Sequence, residues 1–186
     1  MRQGAILGVA WLAAGLLAGG AGAGGDTNAA GGRAERIGVY DSRAVAYAAF
    51  WAPAHRAQID ALTAAAKAAR AAGDTNRCLE IGATLEASQA HAHLQVFSTA
   101  PIDDVLATMQ ARVAAVAKEA GVSTLVSQWD EPALAAHPGA ERVDVTDLLL
   151  RDFTLTKRQK TALESLRKQA PVPLDKAKAL MQDGTL

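Results

Sequence analysis

The residues best equipped for chemistry lie in one short stretch. Trp129, Asp130, Glu131 and His137 put an aromatic ring, two carboxylates and an imidazole within nine residues. A carboxylate and an imidazole can share general acid–base work if they converge within hydrogen-bond reach of one reacting atom. Turn chemistry explains most of the same residues, because an Asx side chain caps its own following turn. Asp41 and Asp130 form a second candidate pair, since each follows a predicted strand. Antiparallel strands would put them at opposite ends of a sheet, each capping a turn. His91 and His93 stand two apart, so on a helix they point about 200° from one another and cannot share a metal. On a strand they could, with Cys78 or Asp74 as a distant third ligand, although zinc sites usually show tighter spacing. His55 falls on an apolar helical row, where a lone histidine reads as an interfacial residue with a partner. The chain holds no glycine-rich phosphate loop, nucleophile elbow or paired-cysteine motif. The residues therefore assign no catalytic group, cofactor or metal.

The elements that must position these residues are mostly helical. A β-type run, Arg36-Ile37-Gly38-Val39-Tyr40, ends at Asp41-Ser42, either of which can cap a helix. From Val45 a seven-residue pattern follows, with Val45, Ala52, Ile59 and Ala66 on one row. Ala48, His55, Leu62 and Ala69 make its companion row, an a/d seam that Pro53 interrupts. Gly73-Asp74-Thr75-Asn76 marks a hairpin tip. The return limb carries Cys78, Ile81, Leu85, Ala92 and Val96 at helical spacing, which favours helix over strand for 90–97. Ser98 to Pro101 breaks this limb, with Ser98 or Thr99 as a cap and Pro101 in a first helical position. Gly121 suits the end of the next helix.

Val122 to Gln128 reads as a second strand and Glu141 to Val145 as a third. A hairpin that goes out and back returns the chain to the sheet end it left, so the second strand is expected antiparallel to the first. Thr146 and Thr156 are expected to cap short helices, the second carrying Leu163 and Leu166. A last amphipathic turn spans Leu174 to Met181. The fold class is α+β: a small antiparallel sheet of about three strands, a projecting antiparallel helical hairpin, and extra C-terminal helices. The hairpin seam is assigned to Val45, Ile59, Leu62, Ile81 and Leu85. Tyr47, Phe50 and Trp51, with Phe97, are expected in the core of the body, or in an oligomer interface, where aromatics are enriched.

The N-terminus reads as an export signal. Met1-Arg2 is followed by the apolar run Ala5 to Ala18 and by Ala21-Gly22-Ala23, a small-x-small cleavage site. The predicted divisions are a signal peptide over 1–23, a flexible lead-in over 24–34, a sheet-and-hairpin domain over 35–152, and a helical tail over 153–186. The rival reading is an uncleaved anchor, which would be the chain's only link to a membrane. Ten of the 16 glycines lie at or before Gly32. The chain carries 19 Lys+Arg against 19 Asp+Glu, without the basic stripe of a nucleic-acid binder. Cys78 is the only cysteine, so no intramolecular disulfide can form.

Three stretches carry a family resemblance: Ile37-Gly38-Val39-Tyr40-Asp41-Ser42, Ala120-Gly121-Val122-Ser123-Thr124-Leu125-Val126, and Val143-Asp144-Val145-Thr146-Asp147-Leu148-Leu149. Behind a signal peptide, their order over about 36–152 resembles the Skp/OmpH-like periplasmic chaperones. The resemblance implies a homotrimer whose helical arms enclose unfolded outer-membrane clients. The chain departs from that pattern in its neutral charge, its short outgoing limb, its return limb interrupted at Pro101, and its added tail after residue 152. The functional expectation is an exported, non-catalytic binding module in the cell envelope, with a holdase or scaffolding role. The alternative is a small-ligand or metal-dependent enzyme using the Trp129 to His137 loop.

Overall fold

Three short strands share one sheet: β1 (Arg36–Tyr40), β2 (Leu125–Ser127) and β3 (Glu141–Asp144), in the order β2-β1-β3. The computed structural model describes residues 34–183. The predicted signal peptide, and the lead-in up to residue 33, lie outside the described residues. Among those described, no helix is long and apolar enough to cross a membrane.

The sheet is entirely parallel, not antiparallel as expected. Gly38, Val39 and Tyr40 pair with Leu125, Val126 and Ser127, and Arg36 to Val39 pair in the same sense with Glu141 to Asp144. The reason lies in the path between β1 and β2. Helix α1 (Ser42–Phe50) leaves the end of β1, capped by the Asp41 carboxylate, which accepts from Arg43 N at 3.1 Å. After a break at Trp51-Ala52, α2 (Pro53–Ala71) and α3 (Thr75–Phe97) make the hairpin that the sequence predicts. The chain then reverses once more through α4 (Asp103–Thr108) and α5 (Gln110–Ala120). This extra pass ends beside the start of β1. Arg36 Nη1 donates to the carbonyls of Ala120 and Gly121 at 2.9 and 3.3 Å, and Ser123 N donates to Arg36 O at 2.9 Å. Parallel strands need such crossovers. The sequence reading treated Pro101 as an interruption of one limb, whereas it marks a change of direction.

Local chemistry sets most helix ends. Asp74 accepts from Arg77 N at 2.9 Å to start α3. Gly121 ends α5 at φ 63°, a left-handed conformation that glycine adopts without penalty. Helix α6 (Glu131–Ala135) is capped by Asp130, and α7 (Thr146–Leu150) follows β3. Thr146 does not cap α7, for Val145 holds that position. Its hydroxyl instead accepts from Asp41 N at 3.0 Å. α8 (Lys157–Arg167) opens on a capping box between Thr156 and Gln159. α9 (Leu174–Gln182) closes the described chain.

The main core gathers Tyr40, Val45, Val96, Val116, Val145 and Leu149, with Leu163 and Leu166 of α8 laid over α1. Val45 thus belongs to the body rather than to the hairpin seam. On the other sheet face Ile37, Val126 and Leu134 form a small second cluster under α6. Apart from Gln95 and Val96 at its foot, the hairpin buries only Ala69 and Ile81, while Ile59, Leu62 and Leu85 are half-buried. A two-helix arm has one stripe per helix to hide, and alanine fills most of this one. The C-terminal segment is stitched to the body at Phe97–Thr99: Val172 N donates to Phe97 O and Thr99 N to Val172 O, both at 3.0 Å.

Two glycines make opposite tests of this packing. A Cβ on Gly38, in the central strand, would sit 3.1 Å from Val145 and 3.2 Å from Val122. Both neighbours are β-branched, so Gly38→Ala is expected to cost about 1–3 kcal/mol through overpacking. A Cβ on Gly82, inside α3, meets nothing within 4 Å. Gly82→Ala should raise stability by roughly 0.5–1 kcal/mol. Denaturant melts of the two variants should shift in opposite directions.

Candidate functional site

Parallel pairing collects the carboxyl ends of the strands at one edge, where ligands of open α/β sheets characteristically bind. Here that edge carries Asp41, Ser42 and Arg43 after β1, Ser127 at the end of β2 with Trp129 after it, and Thr146 after β3. Asp41 and Asp130 were expected at opposite ends of an antiparallel sheet. Both instead follow carboxyl ends of adjacent parallel strands.

The centre of the edge is a buried ion pair. Arg43 donates through Nε to Asp41 Oδ1 at 3.3 Å and through Nη2 to Oδ2 at 3.1 Å, and the two side chains are 1% and 3% exposed. Trp129 completes it twice: its Nε1 donates to Asp41 Oδ1 at 3.0 Å, and its ring lies 4.8 Å from the guanidinium carbon of Arg43, within cation–π range. Ser127 Oγ lies 3.1 Å from Ser42 Oγ. Asp41 therefore accepts from its own helix, from Arg43 and from the neighbouring strand end. Every oxygen of this desolvated carboxylate has a donor, as a buried charge requires.

Two hollows open near this frame. The first is a cleft of about 600 Å³ between the Thr99–Asp103 segment, β2 and α6, with Tyr40, Leu106, Trp129, Asp130 and His137 among its walls. Burial, followed by the nearby carboxylates of Asp103 and Asp130, pushes the Tyr40 phenol up to about 12. The second is an apolar groove of about 410 Å³ at the foot of the hairpin, lined by Tyr47, Phe50, Trp51, Ile59, Val96 and Phe97, with His55 and His93 among them. Its rings pair up: Tyr47 with Trp51 at 6.3 Å, Phe50 with His55 at 5.0 Å, and His93 with Phe97 at 5.9 Å between centroids. Trp51 and Phe97 are 44% and 45% exposed, so they line a surface and do not fill the body core as expected.

The Trp129 to His137 loop is divided between two ends of the sheet. Asp130 begins α6 and His137 follows it, so the two are separated by roughly 10 Å of helical rise. His137 Nδ1 lies 2.9 Å from Glu35 Oε1, beside the amino end of β1. Glu131 is exposed on the first turn of α6. This acid and imidazole do not meet at one reacting atom. His91 and His93 lie on α3 with separate partners, His91 Nε2 being 2.9 Å from Asp104 Oδ2. Cys78 sits with its sulfur 3.9 Å from Ala66 O. Among the described residues no three His, Cys, Asp or Glu side chains lie close enough to hold a metal ion.

Sequence reasoning missed Arg43, Ser42, Ser127, Thr146 and Tyr40 as site residues. The available signal was the run Tyr40-Asp41-Ser42-Arg43 directly after a strand, with an arginine on an otherwise apolar helix. No protein-family model, curated protein or solved structure matches the chain.

Removing one partner of a buried ion pair leaves the other charge uncompensated, at about 3–5 kcal/mol. Arg43→Leu should lose that much in denaturant melts, and adding Asp41→Asn should recover part of it by removing the stranded charge. Full additivity of the two variants would contradict the pairing. A second check uses alkali. A phenol raised from 10.0 to about 12 favours folding below pH 10 and loses that contribution as pH climbs through 12. Between those limits stability should fall faster, by roughly 1.4 kcal/mol per pH unit, in the parent than in Tyr40→Phe.

Proposed function

We propose that this chain is a binding module that captures an apolar segment of a non-native protein at the foot of its hairpin. One observation carries this reading: a 410 Å³ groove walled by aromatic and aliphatic side chains, with Trp51 and Phe97 nearly half exposed. Leaving large rings in water is unfavourable, and soluble proteins concentrate such surface where they bind. Ligand grooves are characteristically concave and apolar with a few polar groups on the rim; here Arg56 and Asp60 supply them. The hairpin above adds further exposed apolar surface, with Leu79 near its tip 68% exposed.

The same surface suits a holdase or scaffold in the cell envelope, reached after cleavage at the Ala21-Gly22-Ala23 site. Unfolded envelope proteins, rich in aromatic and aliphatic anchors, are the proposed partners. The Tyr47, Phe50 and Trp51 patch could instead pack on a second copy, and light scattering distinguishes the two occupants. Catalysis by the Trp129 to His137 loop has less support, because Asp130 and His137 stand at opposite ends of α6.

The test is suppression of aggregation of a urea-denatured outer-membrane protein on dilution. The parent chain should suppress it at stoichiometric amounts. Trp51→Ala with Phe97→Ala should weaken client binding about tenfold, equivalent to ~1.4 kcal/mol, without lowering the melting temperature. No protection by the parent, or equal protection by the double variant, would sink the proposal.

A further inference from the structure

The cleft beside β2 holds a side chain whose chemistry the fold does not use. Tyr40 is only 5% exposed, yet its ring lines the cleft. Its hydroxyl makes no hydrogen bond to any described residue; burial and the charges of Asp103 and Asp130 are what act on it. The ring is buried, and its O–H is left to find a partner outside the chain. It faces a space of about 600 Å³.

The charge around that space is one-sided. Asp103 and Asp130 both line it, and neither has an ion-pair partner among the described residues. Neither lysine nor arginine is among the lining residues. His137, at the far end, is engaged with Glu35. The remaining wall sets the apolar Ile102, Leu106 and Leu125 beside the hydroxyls of Thr99, Thr124 and Ser127.

We infer that this cleft binds a small organic cation, an alkyl ammonium whose charged head meets Tyr40, Asp103 and Asp130 and whose chain lies along Ile102, Leu106 and Leu125. An ammonium carries three donors and no acceptor. It can donate to the free phenol oxygen while both carboxylates neutralise its charge. A bare metal ion fits less well, since calcium asks for six or more oxygens at 2.3–2.6 Å, and no cluster of ligating side chains is present among the described residues. An anion would meet two carboxylates with no cation to offset them.

Calorimetric titration of the full chain with hexylamine, 1-hexanol, hexanoate and calcium chloride tests the inference. Hexylamine should bind at least about tenfold more tightly than hexanol, which has the same tail without the charge. Asp103→Asn combined with Asp130→Asn should abolish that preference; asparagine retains the capping oxygen of residue 130. Asp103→Asn alone should remove a substantial part of it, and this side chain makes no hydrogen bond on which folding depends. Tyr40→Phe should weaken hexylamine about threefold and leave hexanol unchanged, as expected for one lost hydrogen bond. Equal affinity for hexylamine and hexanol would overturn the proposal. So would calcium binding in preference to the amine, undetectable amine binding at millimolar concentration, or a folded Asp103→Asn variant with undiminished preference.

Discussion

The reversal between α3 and α4 decides what the rest of the molecule can be. Its anchor is Gln95, fully buried at the end of α3, whose Nε2 donates to Pro101 O at 3.0 Å and to Asp104 Oδ1 at 2.6 Å. His91 reaches the other oxygen of Asp104, and Ser98 Oγ bridges Leu94 O and Ala100 N at 2.6 and 3.1 Å. Burial works to raise the Asp104 carboxyl, but the hydrogen bonds from His91 and Gln95 outweigh it and hold the group below its ordinary value. A depressed carboxylate contributes stability above its unfolded pKa and loses it as pH falls through the folded value. The turn thus keeps this contribution above the ordinary carboxylate range and loses it in acid. Without it α5 could not run back to Arg36, β2 could not pair parallel to β1, and the strand ends would not share an edge.

The ion pair at that edge has a different role. Burying Asp41 and Arg43 costs desolvation energy that their attraction only partly offsets, and a well-packed apolar pair would often be as stable. What the pair supplies is direction. Arg43 has a planar fork that reads both carboxylate oxygens. The carboxylate in turn takes the Trp129 indole N–H, while the backbone N–H of Asp41 reaches the Thr146 hydroxyl. One residue therefore holds the ends of all three strands in register. A sheet of strands three to five residues long has few ladder hydrogen bonds with which to do so.

Features that depend on near neighbours in the chain were legible in the sequence. Ile37 to Tyr40 as a strand, the tip at Gly73-Asp74, the stop at Gly121 and the cap at Thr156 each follow from local rules for turns and helix ends. Strand direction was not legible, because it depends on how many times the chain crosses the body, and Pro101 looks the same whether it kinks a helix or reverses it. Arg43 was missed because arginine is seldom fully buried, and the ring that covers its guanidinium lies 86 positions away at Trp129. The cleft was half legible: Trp129, Asp130 and His137 line it, but Tyr40 and Asp103 reach it from distant parts of the chain. The aromatic run Tyr47, Phe50, Trp51 was visible as a cluster. Its exposure was not, since that depends on α8 and α3 covering only part of α1.

The cleft and the groove are tied through α1. This helix starts at Asp41, whose backbone and carboxylate are fixed by the sheet edge, and ends at Phe50, which lines the groove. Residues Ser42 to Ala46 and Ala48 are buried between them, most of them alanine or smaller than leucine. Such a helix sits close to its neighbours, and a close-packed interior transmits displacement and does not absorb it. Tyr47 and Phe50 therefore take their positions from the Asp41–Arg43 clasp one or two helical turns earlier. Trp51, past the end of α1, and Phe97, at the last position of α3, lack that support and are the most exposed rings of the groove. The floor of the groove is held by the same interaction that orders the sheet, and its rim is left free to adapt, the division expected if the groove takes apolar segments of differing shape, as we propose.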